Sequence, residues 1–345
     1  MSASHKPGSA PILSGAITTR LYDENGLPLM IEPASTALAD DPKAALDWFV
    51  ANRERIESLL PEYGGVMLRG FAVPDTEAFN AFIDSYPTDP NGYAAGLAPR
   101  EKISGKVFET SKVPAPDKII LHQEMGYLPK YPKGVAFYCH IPSETGGATT
   151  IGDARRYQKA IPATLLDSVR ERGVLYRRNY RGDYDEATPV LNLFHRPWKE
   201  VLHVETREGA EEACEAVGCT PQWESDGSLS LLYRSPGFAR HPLTGDEVWF
   251  AQVQGMHANE TRLAHHYDML KAAFPPGRPW PVEILYGDGG AIPEDLVVPL
   301  YEILDNLAVN IPYEHGDVMI LDNIYTMHGR EPFTGKRDVQ VALMF

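Results

Sequence analysis

The sequence predicts a mainly β protein with flanking helices (α+β). Two segments, 135–141 and 339–345, alternate their side chains between turns that contain Gly and Pro, which is typical of β-strands. Residues 41–60 instead repeat apolar side chains on one side at a helical period. Residues 87–117 are rich in Pro, Gly, Ser and Lys and are predicted to form a long loop, a feature that often covers a functional site.

The other elements follow from the same patterns. Strands are predicted at 17–22, 27–32, 64–69, 118–121, 135–141, 174–180, 229–234, 247–253, 318–321 and 339–345. Helices are predicted at 41–60, 75–85, 153–172, 208–217 and 294–307. The first two strands flank Asn25-Gly26, a favoured hairpin turn. Residues 1–12 are expected to be a flexible tail, and 13–345 a single domain with helical insertions.

Composition excludes several classes of partner. The 345 residues carry 32 Lys and Arg against 47 Asp and Glu, a formal charge of −15, which argues against a nucleic acid or an anionic membrane as partner. Three cysteines without a CxxC pair argue against a disulfide scaffold and fit a reducing cytosol. The first residues lack an apolar signal core, and no run of 18 apolar residues occurs. We therefore expect a soluble, cytoplasmic protein.

A metal site is predicted where the apolar run 118–121 continues into His122-Gln123-Glu124. On a strand, residues i and i+2 face the same way, so His122 and Glu124 would point together and Gln123 away. An imidazole and a carboxylate side by side suit a divalent transition metal. One more imidazole would complete the two-His-one-carboxylate triad of non-haem Fe(II) oxygenases.

The third ligand has a candidate near the end of the sequence. The strand 318–321 leads into a short polar turn and then His328, and a Pro/Gly turn precedes the strand 339–345. Arg337 stands at the start of that last strand. A guanidinium there can pair bidentately with the remote carboxylate of a dicarboxylic cosubstrate.

These motifs resemble the taurine dioxygenase (TauD/TfdA) family of Fe(II)- and 2-oxoglutarate-dependent oxygenases. The resemblance rests on the His-x-Glu pair, on Gly146-Gly147-Ala148-Thr149, and on the late motif Asp-Asn-x4-His-Gly-Arg-x-Pro-Phe-x-Gly-x-Arg that starts at Asp322. It is similar in particular to the branch containing the aspartyl hydroxylase of syringomycin biosynthesis. One departure concerns the substrate, because Ala251 stands where that branch usually has Asn in Trp-Phe-Asn-Gln.

The resemblance implies a fold and a set of ligands. The fold would be a double-stranded β-helix, a jelly roll of two antiparallel sheets. His122, Glu124 and His328 would hold Fe(II), and Thr149 and Arg337 would bind 2-oxoglutarate. O₂ would be the second cosubstrate. The 2-oxoglutarate would be converted to succinate and CO₂. Related iron halogenases have Ala or Gly in place of the carboxylate ligand, so the retained Glu124 favours hydroxylation.

The substrate is expected to be an amino acid or a derivative of one, free or tethered to a carrier protein. Tyr93, Lys118, Arg178 and Arg330 are the candidate substrate-binding residues, with Arg100 as a further candidate. Arg178 and Arg330 could bind a carboxylate, and each could equally form a structural ion pair. The protein is also a candidate homo-oligomer.

Several alternatives stay open from the sequence. Desaturation, epoxidation and ring closure use the same iron site as hydroxylation. Two His and a Glu can also bind Zn²⁺ in a hydrolase, which would need neither Thr149 nor Arg337. A jelly roll can also serve as a non-catalytic binder, although such a protein would be expected to lose a metal ligand.

Overall fold

A computed structural model describes residues 16–23, 26–87, 100–110, 113–183, 191 and 194–345. The predicted tail 1–12, the turn residue Asn25 and the candidate Tyr93 lie outside the described residues.

The described chain contains many short strands and few long helices. The strands are β1 Ile17–Leu21, β2 Leu29–Pro33, β3 Gly65–Leu68, β4 Lys102–Ser104, β5 Val107–Glu109, β6 Ile119–His122, β7 Gly134–Ile141, β8 Thr145–Gly146, β9 Thr149–Asp153, β10 Val174–Tyr180, β11 Thr220–Trp223, β12 Leu229–Ser235, β13 Phe238–Arg240, β14 Glu247–Trp249, β15 Val282–Tyr286, β16 Val309–Ile311, β17 Val318–Asp322, β18 Thr326–Arg330, β19 Phe333–Thr334 and β20 Asp338–Met344. The helices are α1 Thr36–Asp40, α2 Pro42–Tyr63, α3 Thr76–Asp84, α4 Ala154–Ala160, α5 Ala163–Arg172, α6 Trp198–Leu202, α7 Arg207–Ala216, α8 Val253–Met256, α9 Glu260–Leu263, α10 Tyr267–Ala273, α11 Glu294–Val297 and α12 Pro299–Leu307, with a 3₁₀ turn at Ala264–His266.

Two sheets form the centre of the fold. The larger has the strand order β1-β2-β3-β17-β7-β20-β5-β4, and the smaller has the order β16-β9-β18-β6. The chain passes repeatedly between them, from β6 to β7 to β9, and later from β16 through β17 and β18 to β20. Of the pairs in these sheets, β2–β3 is parallel and the others are antiparallel. This alternation is the double-stranded β-helix, so the predicted mainly β fold with flanking helices is confirmed.

Strand β17 shows how the sequence fills both faces of the larger sheet. Because side chains alternate along a strand, Val318 and Ile320 face one side, and Met319 and Leu321 face the other. The first pair joins the core under the helices and the second joins the interior of the roll. A strand covered on both faces is apolar at successive positions, which explains the unbroken apolar run.

Helix α2 covers the outer face of this sheet. Its buried residues include Phe49 and Ile56, which belong to the same core as Val66 of β3. Asp41 caps the helix, because its carboxylate accepts hydrogen bonds from the main-chain amides of Lys43 and Ala44. Within the described part of the chain, no helix combines the length and the apolar character that crossing a membrane requires.

The predicted helix 153–172 is wrong as one element. The chain forms α4 and α5, with Ile161 and Pro162 between them. The residue before a proline is driven out of the helical region, and Ile161 has an extended ψ of 133°. Pro299 similarly divides the predicted helix 294–307, because a proline without an amide hydrogen suits the first position of a helix.

The predicted loop 87–117 is wrong in part, because it contains the short strands β4 and β5. Strand β5 pairs with β20, and β4 follows β5 at the end of the strand order. The two strands therefore extend the larger sheet at one edge. The predicted strand 247–253 ends at Trp249, and helix α8 begins at Val253. Strands of three residues carry too little alternation to be recognised in a sequence.

Candidate metal and cosubstrate site

The structure brings the three predicted metal ligands together at the small sheet. His328 of β18 lies directly opposite His122 of β6 in the strand register, and the centres of the two rings are 4.5 Å apart. His328 Nε2 is 3.4 Å from Glu124 Oε2. One potential ligand atom from each of the three residues lies within 4.8 Å of the others, and the cluster is largely buried.

Glu124 reaches the cluster by a route that differs from the sequence prediction. Strand β6 ends at His122, so the pair does not sit on one regular strand. The chain turns after Glu124, where Met125 has a φ of +57°, a left-handed conformation that is rare for a residue with a side chain. Gln123 turns away and donates a hydrogen bond of 2.9 Å to the carbonyl of Trp249.

Asn323 holds this turn and was not singled out from the sequence. Its Oδ1 accepts a hydrogen bond of 2.7 Å from the amide of Glu124, and its Nδ2 donates to the carbonyls of Glu124 at 2.9 Å and Pro132 at 2.8 Å. Asn323 is fully buried. The only sequence signal was its place in the Asp-Asn motif, since contacts between residues 199 apart in sequence cannot be derived from pattern alone.

The hydrogen bond of His122 prepares that ring for a metal. Its Nδ1 lies 2.9 Å from the carbonyl of Ile120 and therefore donates a proton, which leaves the Nε2 lone pair available. Burial, together with the neighbouring His328, lowers the pKa of His122 to about 4. The imidazole is consequently neutral at physiological pH, which is the state that binds metals.

Glu124 is charged despite its burial. Burial acts to raise the pKa of this carboxyl, but Arg100 and the two histidines outweigh that effect and lower the pKa to about 2. Arg100 Nη2 lies 3.4 Å from Glu124 Oε2, and both side chains are almost entirely covered. The cluster therefore offers two imidazoles and one carboxylate as ligands.

The candidate cosubstrate residues lie in the same cavity. Arg337 donates hydrogen bonds from Nε to the carbonyl of Gly147 at 3.1 Å and from Nη2 to Thr149 Oγ1 at 3.2 Å. Both glycines of Gly146-Gly147 have positive φ, which an L side chain rarely adopts, and this turn presents the carbonyl to the arginine. Burial lowers the pKa of the Arg337 guanidinium, so a carboxylate partner would stabilise its charge.

The three candidate substrate residues that the structure describes, Lys118, Arg178 and Arg330, are dispersed. Arg330 lines the cavity, but its guanidinium donates to three main-chain carbonyls, those of Val113, Pro114 and Asp117. These contacts favour a role in holding the segment before β6. Lys118 does not line the cavity and forms ion pairs with Asp305 and Glu331. Arg178 does not line it either, and the roles of all three residues stay predictions.

Arg178 was a candidate substrate-binding residue, but it lies behind the wall of the cavity. It lies on β10, in the separate sheet β11-β12-β10-β15, and is fully buried. Its guanidinium is 3.4 Å from Cys219 Sγ and stands over the ring of Tyr127. Tyr127 in turn lines the cavity, so Arg178 supports the cavity wall from behind.

The cavity combines polar ends with an apolar wall. It has a volume of about 170 Å³ and joins the metal cluster to Thr149 and Arg337. The apolar part of the wall consists of Ile119, Tyr127, Phe137 and Val339. Such walls exclude water from the space between the metal cluster and the arginine.

The residues present fit Fe(II) and a chelating dicarboxylate. The cluster has an imidazole nitrogen kept free for coordination, one charged carboxylate and a second imidazole facing that carboxylate. Three protein ligands leave coordination positions open for exogenous groups. Arg337 and Thr149 offer donors for a carboxylate at the other end of the same cavity.

Two imidazoles and one carboxylate at one site of a jelly roll are typical of the non-haem Fe(II) oxygenases. Comparison with known families agrees. The model of the taurine catabolism dioxygenase TauD, TfdA family matches residues 33–343, and the chain belongs to that family. It is accordingly a dioxygenase that uses Fe(II), 2-oxoglutarate and O₂, and it acts on a small molecule.

Two known proteins are similar to this chain along almost their whole length. The dapdiamide synthesis protein DdaC of Enterobacter agglomerans is 28% identical over 344 residues, which cover 99% of this chain and 95% of DdaC. A clavaminate synthase-like protein of Arabidopsis thaliana is 28% identical over 330 residues, which cover 93% of this chain and 94% of that protein.

Solved structures share the fold. PvcB of Pseudomonas aeruginosa superposes with a TM-score of 0.53 at 17% identity, covering 97% of this chain and 94% of PvcB. A taurine dioxygenase of Burkholderia xenovorans superposes with a TM-score of 0.50 at 14% identity, covering 96% of this chain and 89% of that protein. At this level of identity the likeness concerns the fold alone.

Proposed function

We propose that His122, Glu124 and His328 hold Fe(II), and that Arg337 and Thr149 bind the remote carboxylate of 2-oxoglutarate. The observation that carries the proposal is the convergence of two imidazoles and a carboxylate within 4.8 Å. The cavity that continues from this cluster to Arg337 supports the cosubstrate assignment. We further propose that the enzyme hydroxylates an unactivated C–H bond of an amino acid or of a small molecule derived from one.

The side chains have separate tasks in this scheme. His122 donates its Nδ1 proton to Ile120 and keeps Nε2 for the metal, and Asn323 fixes the main chain of Glu124. Arg337 and Thr149 orient the cosubstrate from its far end. Bound Fe(II) supplies the oxidation of the substrate, coupled to decarboxylation of 2-oxoglutarate to succinate and CO₂.

The retained carboxylate supports hydroxylation over halogenation. Glu124 occupies the position that a chloride would need, and its charge is maintained because Arg100 and the two histidines lower its pKa to about 2. Desaturation, epoxidation and ring closure would use the same metal and cosubstrate residues as hydroxylation. The product separates them, because hydroxylation and epoxidation add one oxygen atom whereas desaturation and ring closure remove two hydrogens.

The names of the relatives support a substrate from specialised metabolism. One relative is named for dapdiamide synthesis and another for its likeness to clavaminate synthase. We propose an amino acid, free or tethered to a carrier protein, as the substrate class. The three free and buried cysteines support a cytoplasmic setting.

A screen tests this function directly. The purified protein, loaded anaerobically with Fe(II), is mixed with 2-oxoglutarate, O₂ and single amino acids or carrier-tethered amino acids, and succinate is quantified. We expect one group of related compounds to stimulate succinate formation and to gain oxygen in the same reaction. Turnover with Zn²⁺ in the absence of O₂ and 2-oxoglutarate would instead indicate a hydrolase.

A further inference from the structure

His241 is a buried histidine in the turn between β13 and β14, and both of its ring nitrogens form hydrogen bonds. Its Nδ1 accepts from the main-chain amides of Leu243 at 3.3 Å and Thr244 at 3.2 Å. A ring nitrogen that accepts carries no proton, so the proton lies on Nε2, which is 2.8 Å from Asp322 Oδ2. His241 is therefore a fixed donor directed at one carboxylate.

That carboxylate stabilises the turn between β17 and β18. The second oxygen of Asp322, Oδ1, accepts hydrogen bonds of 2.9 Å from the amides of Ile324 and Tyr325. The remaining residue of the turn is Asn323, whose side chain bonds to the main chain of Glu124 through both its oxygen and its nitrogen. Asp322 thus fixes the main chain that carries Asn323.

The imidazole contacts the same turn in a second way. The ring of His241 stacks on the ring of Tyr325, with centres 4.2 Å apart and planes inclined by 4°. His241 is 3% exposed and Asp322 is 6% exposed. Because both side chains are shielded from water, a lost donor at position 241 would leave Asp322 Oδ2 without a partner among the described residues.

We propose that His241 is a positioning residue for the metal site. It orients Asp322, and the turn that Asp322 fixes allows Asn323 to hold Glu124 where its carboxylate meets the two histidine ligands. This inference rests on the proposed function, since the property affected is the affinity of the three ligands for a divalent metal. Residues outside the ligand set act on a metal through the geometry of its ligands, without touching the metal or the substrate.

The test uses two substitutions that preserve different nitrogens of the ring. The amide nitrogen of glutamine can replace Nε2, so His241→Gln keeps a donor for Asp322. The amide oxygen of asparagine can replace Nδ1, so His241→Asn keeps the acceptor for the two amides and loses that donor. The matched control is His195→Asn, which replaces another buried histidine, one bonded to Asn179.

The Zn²⁺ affinity of each metal-free protein is measured by competition with a chromophoric chelator, and its free energy of unfolding by urea denaturation. We expect His241→Asn to bind Zn²⁺ about tenfold more weakly than wild type, and His241→Gln to recover most of the affinity. His195→Asn should lose stability and bind Zn²⁺ like wild type. A merely structural role would instead lower Zn²⁺ affinity in step with the free energy of unfolding in all three variants.

A double substitution tests whether the effect passes through Asn323. The change Asn323→Ala removes the contact with Glu124, so the addition of His241→Asn should alter Zn²⁺ affinity little. Effects of residues that act through one another are not additive, whereas the effects of independent sites add. Circular dichroism establishes that each variant is folded. If the double variant is unfolded, the comparison of His241→Gln with His241→Asn still decides the role of the donor.

Three results would overturn the role of His241. They are wild-type Zn²⁺ affinity in His241→Asn, equal losses in His241→Asn and His241→Gln, or a further tenfold loss when His241→Asn is added to Asn323→Ala. Any of them contradicts this inference alone when wild type binds Zn²⁺ more tightly than His328→Ala does. Equal Zn²⁺ affinity in wild type and His328→Ala would count against the proposed metal site itself.

Discussion

Each candidate ligand is held in position before any metal binds. Hydrogen bonds position His122 and Glu124, and the strand register positions His328. The carbonyl of Ile120 fixes which nitrogen of His122 carries the proton, and Asn323 fixes the main chain of Glu124. His328 is positioned by its strand, directly opposite His122. Ligands that are already held in place lose little conformational entropy when the metal binds.

Replacing any ligand with alanine should abolish the reaction without unfolding the protein. We expect His122→Ala, Glu124→Ala and His328→Ala to lose substrate-coupled succinate formation, because each change removes one metal bond and little core packing. Product formation, Zn²⁺ affinity and circular dichroism should be measured on all three. The control is His265→Ala, at an exposed position. Full turnover by His328→Ala would rule out the proposed triad.

The two arginines near the end of the chain should have separable effects. Loss of a buried cation–carboxylate contact costs about 2–5 kcal/mol. Arg337→Ala should therefore raise the KM for 2-oxoglutarate tens- to thousands-fold, measured at saturating substrate. Arg330→Ala should raise it much less and should mainly loosen the segment 113–117, which hydrogen exchange can follow. A large rise in Arg330→Ala with none in Arg337→Ala would reverse the assignment.

Residue types and motifs were enough to predict the members of the site but not all of their contacts. The sequence singled out His122, Glu124, His328 and Arg337 because their chemistry is recognisable at their spacing. It could not separate Arg100 from Arg178, because the surroundings of each depend on how distant strands pack. Only the folded chain shows that Arg178 lies behind the cavity wall and that Arg100 faces Glu124.

At the scale of elements, the site depends on contact between two turns. One follows β6 and carries Glu124, and the other joins β17 to β18 and carries Asn323. The turns are joined by the two hydrogen bonds between Asn323 and the main chain of Glu124. The left-handed Met125 lies in the first turn, and such a conformation persists only when surrounding contacts impose it.

Removing this contact should weaken both the fold and metal binding. Asn323→Ala leaves three buried main-chain groups without their partner, which should cost about 1–3 kcal/mol of unfolding free energy. Loss of an outer-shell partner should also reduce Zn²⁺ affinity about 10–100-fold. Asn52→Ala, which loses a buried asparagine that bonds to Trp48 within α2, provides the control for stability. Equal Zn²⁺ affinity in both variants would show that Asn323 does not position Glu124.

Elements with strong local signals were predicted well. The strand 174–180 matches β10, and the strands 17–22 and 27–32 pair as expected to form β1 and β2. The misses have local physical causes. Pro162 and Pro299 divide segments whose apolar period continues across them, and β18 was missed because Thr-Met-His-Gly-Arg lacks an apolar alternation. Its strand conformation comes from neighbours on both sides, β6 and β9.

At the scale of the whole molecule, acid should destabilise the metal-free protein through buried histidines such as His195. Burial, together with Arg181 and Arg278, lowers the pKa of His195 to about 4. Its Nε2 lies 2.6 Å from Asn179 Oδ1, far along the chain from the metal ligands. Because the folded pKa lies below that of the unfolded chain, the unfolded state binds more protons between about pH 6.5 and 4.

The free energy of unfolding should therefore fall as the pH decreases from 7 to 4. A single histidine contributes a slope of at most about 1.4 kcal/mol per pH unit in this window. His195→Gln should reduce the slope, whereas the exposed His265→Gln should not. Urea denaturation of chelator-treated protein at several pH values measures both. An unchanged slope in His195→Gln would show that His195 is protonated equally in the folded and unfolded states.

The strand order also constrains how the protein is made. In the larger sheet, β17 fills the space between β3 and β7, and β20 lies between β7 and β5, although both strands come late in the sequence. A ribosome that has synthesised only the first 300 residues holds a chain whose early strands have unpaired edges and no place for iron. Such edges invite association with other chains. Completion of the larger sheet and of the proposed metal site must therefore wait until β17, β18 and β20 have been synthesised.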